Sequence, residues 1–249
     1  LNFNDIDAVK KAFKNNKNNI AAVILEPITG NMSVIKPKLE FLLGLRDLTK
    51  KYNSILIFDE VMTGFRVSRG GAQEIFNIQP DITALGKIIG GGLPVGAYGG
   101  NKEIMSYISP EGPIYQAGTL SGNPVSMSAG ISTLNELKNE KIYIHLEKIS
   151  KFLCEGLTHI AKTYNIPLIV NQYGSMVGIF FSNHEIYNFQ DITKKHINKY
   201  NRLHKYLLQN NIYFPPSAYE GLFISYAHKK KHIMHVLNIF EKFVKNKNI

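Results

Sequence analysis

Three short apolar runs, Ile20 to Leu25, Ser54 to Phe58 and Asp81 to Gly86, alternate with stretches of helical periodicity. That alternation constrains the fold more than any other feature of the chain. Between the first two runs, Leu39, Leu42, Leu43, Leu45 and Leu48 recur at helical spacing over residues 39–52. Strand, crossover helix and strand in succession are the mark of a mostly parallel sheet. The first run reads as a buried strand ending at Glu26-Pro27, the second ends at Asp59 and the third at Gly86-Lys87. In open α/β sheets ligands bind beyond the carboxyl ends of the strands. Glu26, Asp59 and Lys87 all fall at such ends, which predicts a site there.

Beyond Lys87, Gly90-Gly91-Gly92-Leu93-Pro94 predicts a sharp turn, and Val95 to Gly99 an extended segment. Gly118 to Gly122 is a small-residue loop leading to Asn123, a good helix cap, with Pro124 at the favoured first helical position. That helix is expected to run to about Lys138 and to end in the charged stretch 138–141. The remainder reads as a smaller α+β domain. Leu146, Ile149, Leu153, Leu157 and Ile160 make a helical stripe, 168–170 and 176–181 alternate as strands, and Ile233, Val236, Leu237, Phe240 and Val244 form a closing amphipathic helix. The expected division is 1–138 and 139–249.

At 249 residues and 44% hydrophobic, the chain has enough apolar material for one large domain or two smaller ones. No apolar run reaches the roughly 18 residues that span a bilayer. No charged-then-apolar leader opens the chain, and one cysteine, Cys154, makes no internal disulfide. A cytoplasmic protein without a membrane partner is the expectation. Leu1 rather than methionine at the start suggests a processed or partial chain. The net charge of +10 is spread over lysines on polar faces, with no basic run interleaved with aromatics. A general surface bias, not a nucleic-acid footprint, is therefore expected.

A carboxylate and an amine at neighbouring strand ends suit an enzyme that forms an imine on Lys87 and keeps an electron sink protonated with Asp59. Pyridoxal 5'-phosphate requires that pair, a lysine for its aldehyde and a carboxylate for its ring nitrogen. Each residue also has a plainer reading. Asp59-Glu60 can cap the next helix, although Asp59 follows an apolar strand and needs a charged partner to offset desolvation. Lys87 can be a solvated lysine, although its place between an apolar strand and a glycine-rich turn predicts partial burial. Thr119 and Ser121 suit a phosphate or a simple cap equally well. His228, His232 and His235 have the spacing of metal ligands, but three lysines intervene and no carboxylate stands nearby, so a basic helix start is expected and no metal. Cys154 on an apolar helical face reads as core.

Four segments together carry a family likeness. They are Glu26-Pro27-Ile28-Thr29-Gly30-Asn31-Met32, the run Ile57 to Arg66 around Asp59-Glu60-Val61-Met62-Thr63-Gly64, the run Leu85 to Ala97 around Gly86-Lys87, and Tyr115 to Pro124 around Gly118-Thr119-Leu120-Ser121-Gly122-Asn123. They resemble the class III pyridoxal-phosphate transaminases, and more narrowly the aminomutases among them. The narrower likeness rests on Gly30-Asn31-Met32, on Met62 where transaminases of the class commonly carry glutamine, and on Tyr219-Glu220-Gly221 with Ala227-His228. It extends over essentially the whole chain.

The resemblance implies a fold-type I enzyme: 1–138 as part of the large cofactor-binding α/β domain, 139–249 as the small α+β domain, and a homodimer whose sites draw on both subunits. It implies that Lys87 binds the cofactor aldehyde and moves protons, that Asp59 holds the ring nitrogen protonated, and that Val61 packs on the ring. Asn31 would bond the ring hydroxyl, Thr119 of the neighbouring subunit the phosphate, and Glu220 would lie near the substrate. Pyridoxal 5'-phosphate would alternate with its pyridoxamine form while an amino group moves within one small molecule. Transfer to an external acceptor, or an inactive fragment, are the alternatives. Two departures stand out: family members carry a substantial N-terminal portion ahead of the position of Leu1, and Gly221-Leu222 stands where the family usually has Ala-Gly.

Overall fold

The computed structural model describes residues 1–246. Helices α1 (Ile6–Asn15) and α2 (Leu39–Lys51) enclose strand β1 (Ala22–Leu25) in sequence, followed by β2 (Ile55–Asp59), a short α3 (Gly71–Phe76), β3 (Ile82–Leu85), β4 (Ala97–Gly100), α4 (Lys102–Met105) and α5 (Pro124–Glu136). After these come α6 (Glu140–Thr163), β5 (Ile169–Tyr173), β6 (Met176–Phe180), α7 (Lys194–Gln209), β7 (Leu222–Phe223) and α8 (Lys230–Lys245). The chain divides into two compact units. One holds residues 5–27 and 38–139 together with Leu1; the other holds 2–4, 28–37 and the residues from Glu140 onward.

The first unit is built on a sheet of order β1-β2-β3-β4, parallel from β1 to β3, with β4 antiparallel at the edge. In the register, Val23 lies opposite Leu56 and Leu25 opposite Phe58. Leu56 and Phe58 are fully buried, as are Leu42 and Leu45 of α2, which packs against β1 and β2. The inward stripe of α2 is Phe41, Leu42, Leu45 and Thr49, while Leu39 and Leu43 of the expected stripe are exposed. Side chains alternate along a strand, so Ile24 and Ile57, which pair with each other, point to the opposite face. Ile24 is 65% exposed, which corrects the reading of its strand as buried. Among the described residues of this unit, α2 covers one face at β1 and leaves Ile24 open to water.

The second unit is α+β. An antiparallel sheet β5-β6-β7 is backed by α6, whose stripe Leu146, Ile149, Leu153, Leu157 and Ile160 is buried. α8 packs on α6 and α7 through a face that includes Ile233, Phe240, Phe243 and Val244. Residues 28–37 belong here although they lie far upstream. Ile35 joins Phe180, Ile186 and Ile192 in one core cluster, and Asn171 Nδ2 donates to Val34 O at 2.9 Å. A division read linearly along the chain places that segment with the first strands. Its burial against β6 puts it in the other unit.

Candidate functional site

Asp59 is the last residue of β2, where Asp59 sits opposite Ala84 of β3. The ladder continues one step further: the N–H of Glu60 donates to Ala84 O at 2.9 Å. Past that point the two strands pass into turns, with Asp59 half-buried at the end of β2 and Lys87 exposed after the end of β3, at the carboxyl ends where the strand-end rule expects a site. Asp59 Oδ1 accepts from Val61 N at 3.1 Å, which aims the carboxylate along the turn. Val61 leans across to the end of β3, so that a Cβ on Gly86 would lie 3.1 Å from Val61 Cγ1. The missing side chain at Gly86 therefore leaves room for Val61 directly before Lys87.

Lys87 opens a short 3-10 turn, Lys87–Gly90, on which α5 packs. Its φ of 47° places a non-glycine residue in the left-handed region, a strained geometry held by the neighbouring structure and concentrated at functional positions. The turn that follows bends as expected, with Gly91 and Gly92 at φ 58° and 95°. The expected partial burial of Lys87 is not found: the residue is exposed. The sheet face beside it carries too little structure, among the described residues, to enclose a side chain at that strand end.

Thr119 lies in the turn 118–122 of the same unit, closed by Ser121 N donating to Gly118 O at 2.9 Å, and is exposed. Asn123 caps α5 as anticipated, its side chain accepting from Ser126 N at 3.0 Å. This turn and α5 line a groove of about 850 Å³ with Leu85, Val95, Leu120, Met127 and Ile131 on its walls. Asn31 and Glu220 belong to the second unit, and both are exposed. Their segments meet there, since Ser33 N donates to Tyr219 O. The structure thus gathers Asp59, Val61 and Lys87 at one sheet edge, and separately brings the loops of Asn31 and Glu220 together.

The histidine spacing resolves into local contacts. His228 Nδ1 accepts from Ser225 N at 3.0 Å and His232 Nδ1 from Lys229 N at 3.1 Å at the start of α8. Cys154 is buried, and burial pushes its thiol up to about 12. One residue of the Asp59-Glu60 pair does serve as a helix cap. Glu60 is buried and accepts from Ala72 N at 2.6 Å and Gln73 N at 3.1 Å, the first-turn amides of α3. The sequence signal for it is Gly70-Gly71, the cap and first residue of a short helix without a side-chain cap of its own. Arg66, at the end of the same motif, is half-buried. Its Nε donates to Met62 O at 2.8 Å, and burial lowers its guanidinium to about 10, still protonated near neutrality.

Residues 3–242 match the family of class-III aminotransferases. A glutamate-1-semialdehyde 2,1-aminomutase of Thermosipho melanesiensis is 54% identical over 98% of this chain and 57% of its own length. The chain therefore spans little more than half the length of that relative. Among solved structures, an omega-transaminase from Sphaerobacter thermophilus superposes with a TM-score of 0.91 at 29% identity, over 98% of this chain and 56% of the other. A variant glutamate-1-semialdehyde-aminomutase from Pseudomonas aeruginosa, solved in complex with PMP, has a TM-score of 0.88 at 25% identity, over all of this chain and 56% of the other. The motif residues, the strand-end geometry and the match over nearly the whole chain agree: this chain belongs to the class-III aminotransferase family.

Proposed function

We propose that the chain carries part of the active site of an enzyme that moves an amino group within glutamate-1-semialdehyde to give 5-aminolevulinate, a precursor of tetrapyrroles. The observation that carries this reading is the meeting of Asp59, Val61 and Lys87 at the carboxyl ends of β2 and β3, in a chain 54% identical to an aminomutase. The donor set fits pyridoxal 5'-phosphate: a carboxylate fixed by the turn amide of Val61, an apolar side chain over Gly86, and a primary amine one residue on. When bound, that group supplies an electron sink and, in its pyridoxamine form, an exchangeable amine.

The chain's own residues have distinct tasks in this reading. Asp59 would keep the ring nitrogen protonated, since a neighbouring carboxylate favours the charged form of its partner. Val61 would cover one ring face and keep water from it. Lys87 Nζ would hold the cofactor by its aldehyde, and as a free amine it would carry protons between cofactor and substrate carbons as a general acid and base. By the family resemblance, Asn31 would bond the ring hydroxyl, Thr119 would bind the phosphate of the neighbouring subunit in a homodimer, and Glu220 would serve the substrate side. Met62 in place of glutamine favours transfer within one molecule. The likeness to an omega-transaminase supports the second reading, in which an external acceptor takes the amine.

The test uses the chain alone and the chain joined to the N-terminal portion of its Thermosipho relative, each supplied with pyridoxamine 5'-phosphate and glutamate-1-semialdehyde. The joined protein is expected to form 5-aminolevulinate with no added acceptor, and the chain alone little or none. Turnover that depends on added 2-oxoglutarate would favour the transaminase reading. No product from the joined protein under either condition would reject both.

A further inference from the structure

Glu60 stands between the two residues assigned to the ring and is 1% exposed. A carboxylate withdrawn from water needs donors on both oxygens, because an unmatched charge in the interior is costly. The fold supplies four. Oε2 accepts from Ala72 N at 2.6 Å and Thr63 Oγ1 at 2.8 Å, and Oε1 accepts from Gln73 N and Gln73 Nε2, both at 3.1 Å. Gly71 makes this approach possible. Its φ is 71°, and a Cβ on it would collide with Glu60 Oε2.

These bonds do more than begin a helix. Gln73 Nε2 has two hydrogens, and while one goes to Glu60 the other goes to Thr83 Oγ1 of β3 at 3.3 Å. The main chain of Glu60 is bonded to the same strand at Ala84 O. Glu60 is thus tied to β3 twice, by its backbone at Ala84 and by its side chain through Gln73 at Thr83. β3 is the strand that ends in Lys87, and Glu60 is joined covalently to Asp59. A plain helix cap needs only the amides of Ala72 and Gln73. The Gln73–Thr83 link adds nothing to capping, but it fixes the end of β2 sideways against β3. The short bonds from Ala72 N and Thr63 Oγ1 hold the carboxylate itself in place, and the longer bonds through Gln73 carry that position across to Thr83.

We propose that Glu60 is a positioning residue which, through Gln73 and Thr83, sets the spacing of Asp59 and Lys87 for the cofactor; this rests on the assignment of those two residues above. A small displacement of an amine from its productive position costs reactivity steeply. Loss of the link should therefore show in the reactivity of Lys87 even where the fold survives.

The experiment is capture of Lys87. The 249-residue chain is incubated with pyridoxal 5'-phosphate, reduced with borohydride and digested, and mass spectrometry gives the share of label on Lys87 against the other lysines. Urea melts are run beside it. In the unsubstituted chain the label is expected to concentrate on Lys87. Thr83→Val leaves the contacts of Glu60 with α3 in place but removes the link, and should lower that share roughly fivefold with an unchanged urea midpoint. Thr83→Ser should restore it, and Glu60→Gln should lower it roughly tenfold, the loss of about one charge-assisted bond.

Unchanged capture in both Thr83→Val and Glu60→Gln would overturn the proposal and leave Glu60 a helix cap. Should Glu60→Gln fail to fold, the contrast between Thr83→Val and Thr83→Ser decides alone. Label spread evenly over the lysines of the unsubstituted chain would remove the assignment of Lys87 itself, and the proposal with it.

Discussion

His196 lies in the second unit beside Phe180, Phe181 and Tyr200, with ring centroids 5.5, 6.4 and 6.3 Å away. Its Nδ1 accepts from Phe181 N at 2.9 Å, a bond only the neutral ring can make there. Burial lowers the imidazole from 6.5 to about 4. Because the folded value lies below the unfolded one, the neutral ring favours the fold. That contribution is complete above pH 6.5 and is lost as the pH falls from there toward 4. It amounts to at most about 3 kcal/mol. His196→Gln keeps an oxygen for Phe181 N but does not titrate. Its urea midpoint should therefore fall less than that of the unsubstituted chain between neutral pH and about pH 4.5, and equal falls would show that His196 is not the titrating group. The sequence hid this residue. Lys194-Lys195-His196 reads as a basic stretch, and only the helical spacing of His196, Tyr200, Leu203 and Leu207, all buried, turns it inward. Cys154 was legible by the same rule, since it falls within an obvious apolar stripe.

Among elements, the strands show where the sequence speaks and where it falls silent. Apolar runs and periodicity locate β1, β2 and β3, and the polar residue after each run locates the carboxyl ends of the strands, where β2 ends at Asp59 and β3 ends just ahead of Lys87. Runs alone do not say how many layers cover a sheet. Ile24 and Phe58 are both apolar residues of adjacent strands, yet one is 65% exposed and the other fully buried. That difference is measurable. Ile24→Thr keeps β-branching and should change stability by less than about 0.5 kcal/mol, whereas Phe58→Ala should cost about 3–5 kcal/mol. Urea unfolding of the two variants provides the comparison, and a core-sized cost at Ile24 would mean that something covers this face in solution. The segment 28–37 was misplaced for a related reason. The charged stretch near Asn139 marks a boundary along the chain, but nothing local in Ile28 or Ile35 states which core they complete. Glu60 was half legible: capping by the Asp59-Glu60 pair was foreseen, but the path through Gln73 to Thr83 depends on a turn whose shape only the fold reveals.

For the molecule as a whole, the balance between apolar surface and net charge decides how the chain behaves in solution. The first unit leaves Tyr115, Leu120, Val125 and Ile131 between 62% and 83% exposed, and Leu120 and Ile131 line one groove. Large side chains left in water at this density mark contact surfaces. The proposed homodimer, with Thr119 in the adjoining turn serving a neighbour, would use that region. The net charge of +10 opposes association of like chains, and salt screens it within a Debye length of about 10 Å at 0.1 M. Both effects together predict a dependence on salt opposite in sign to that of an ion-paired interface. Sedimentation of the chain should show self-association that grows with concentration and strengthens from low to moderate salt. Leu120→Asp combined with Ile131→Lys adds no net charge, yet should abolish the association by placing charges in the groove, at little cost to folding because both positions are exposed. Association that weakens with salt would point to ion pairs instead, and a chain monomeric at every salt would take from the homodimer reading its support in this surface.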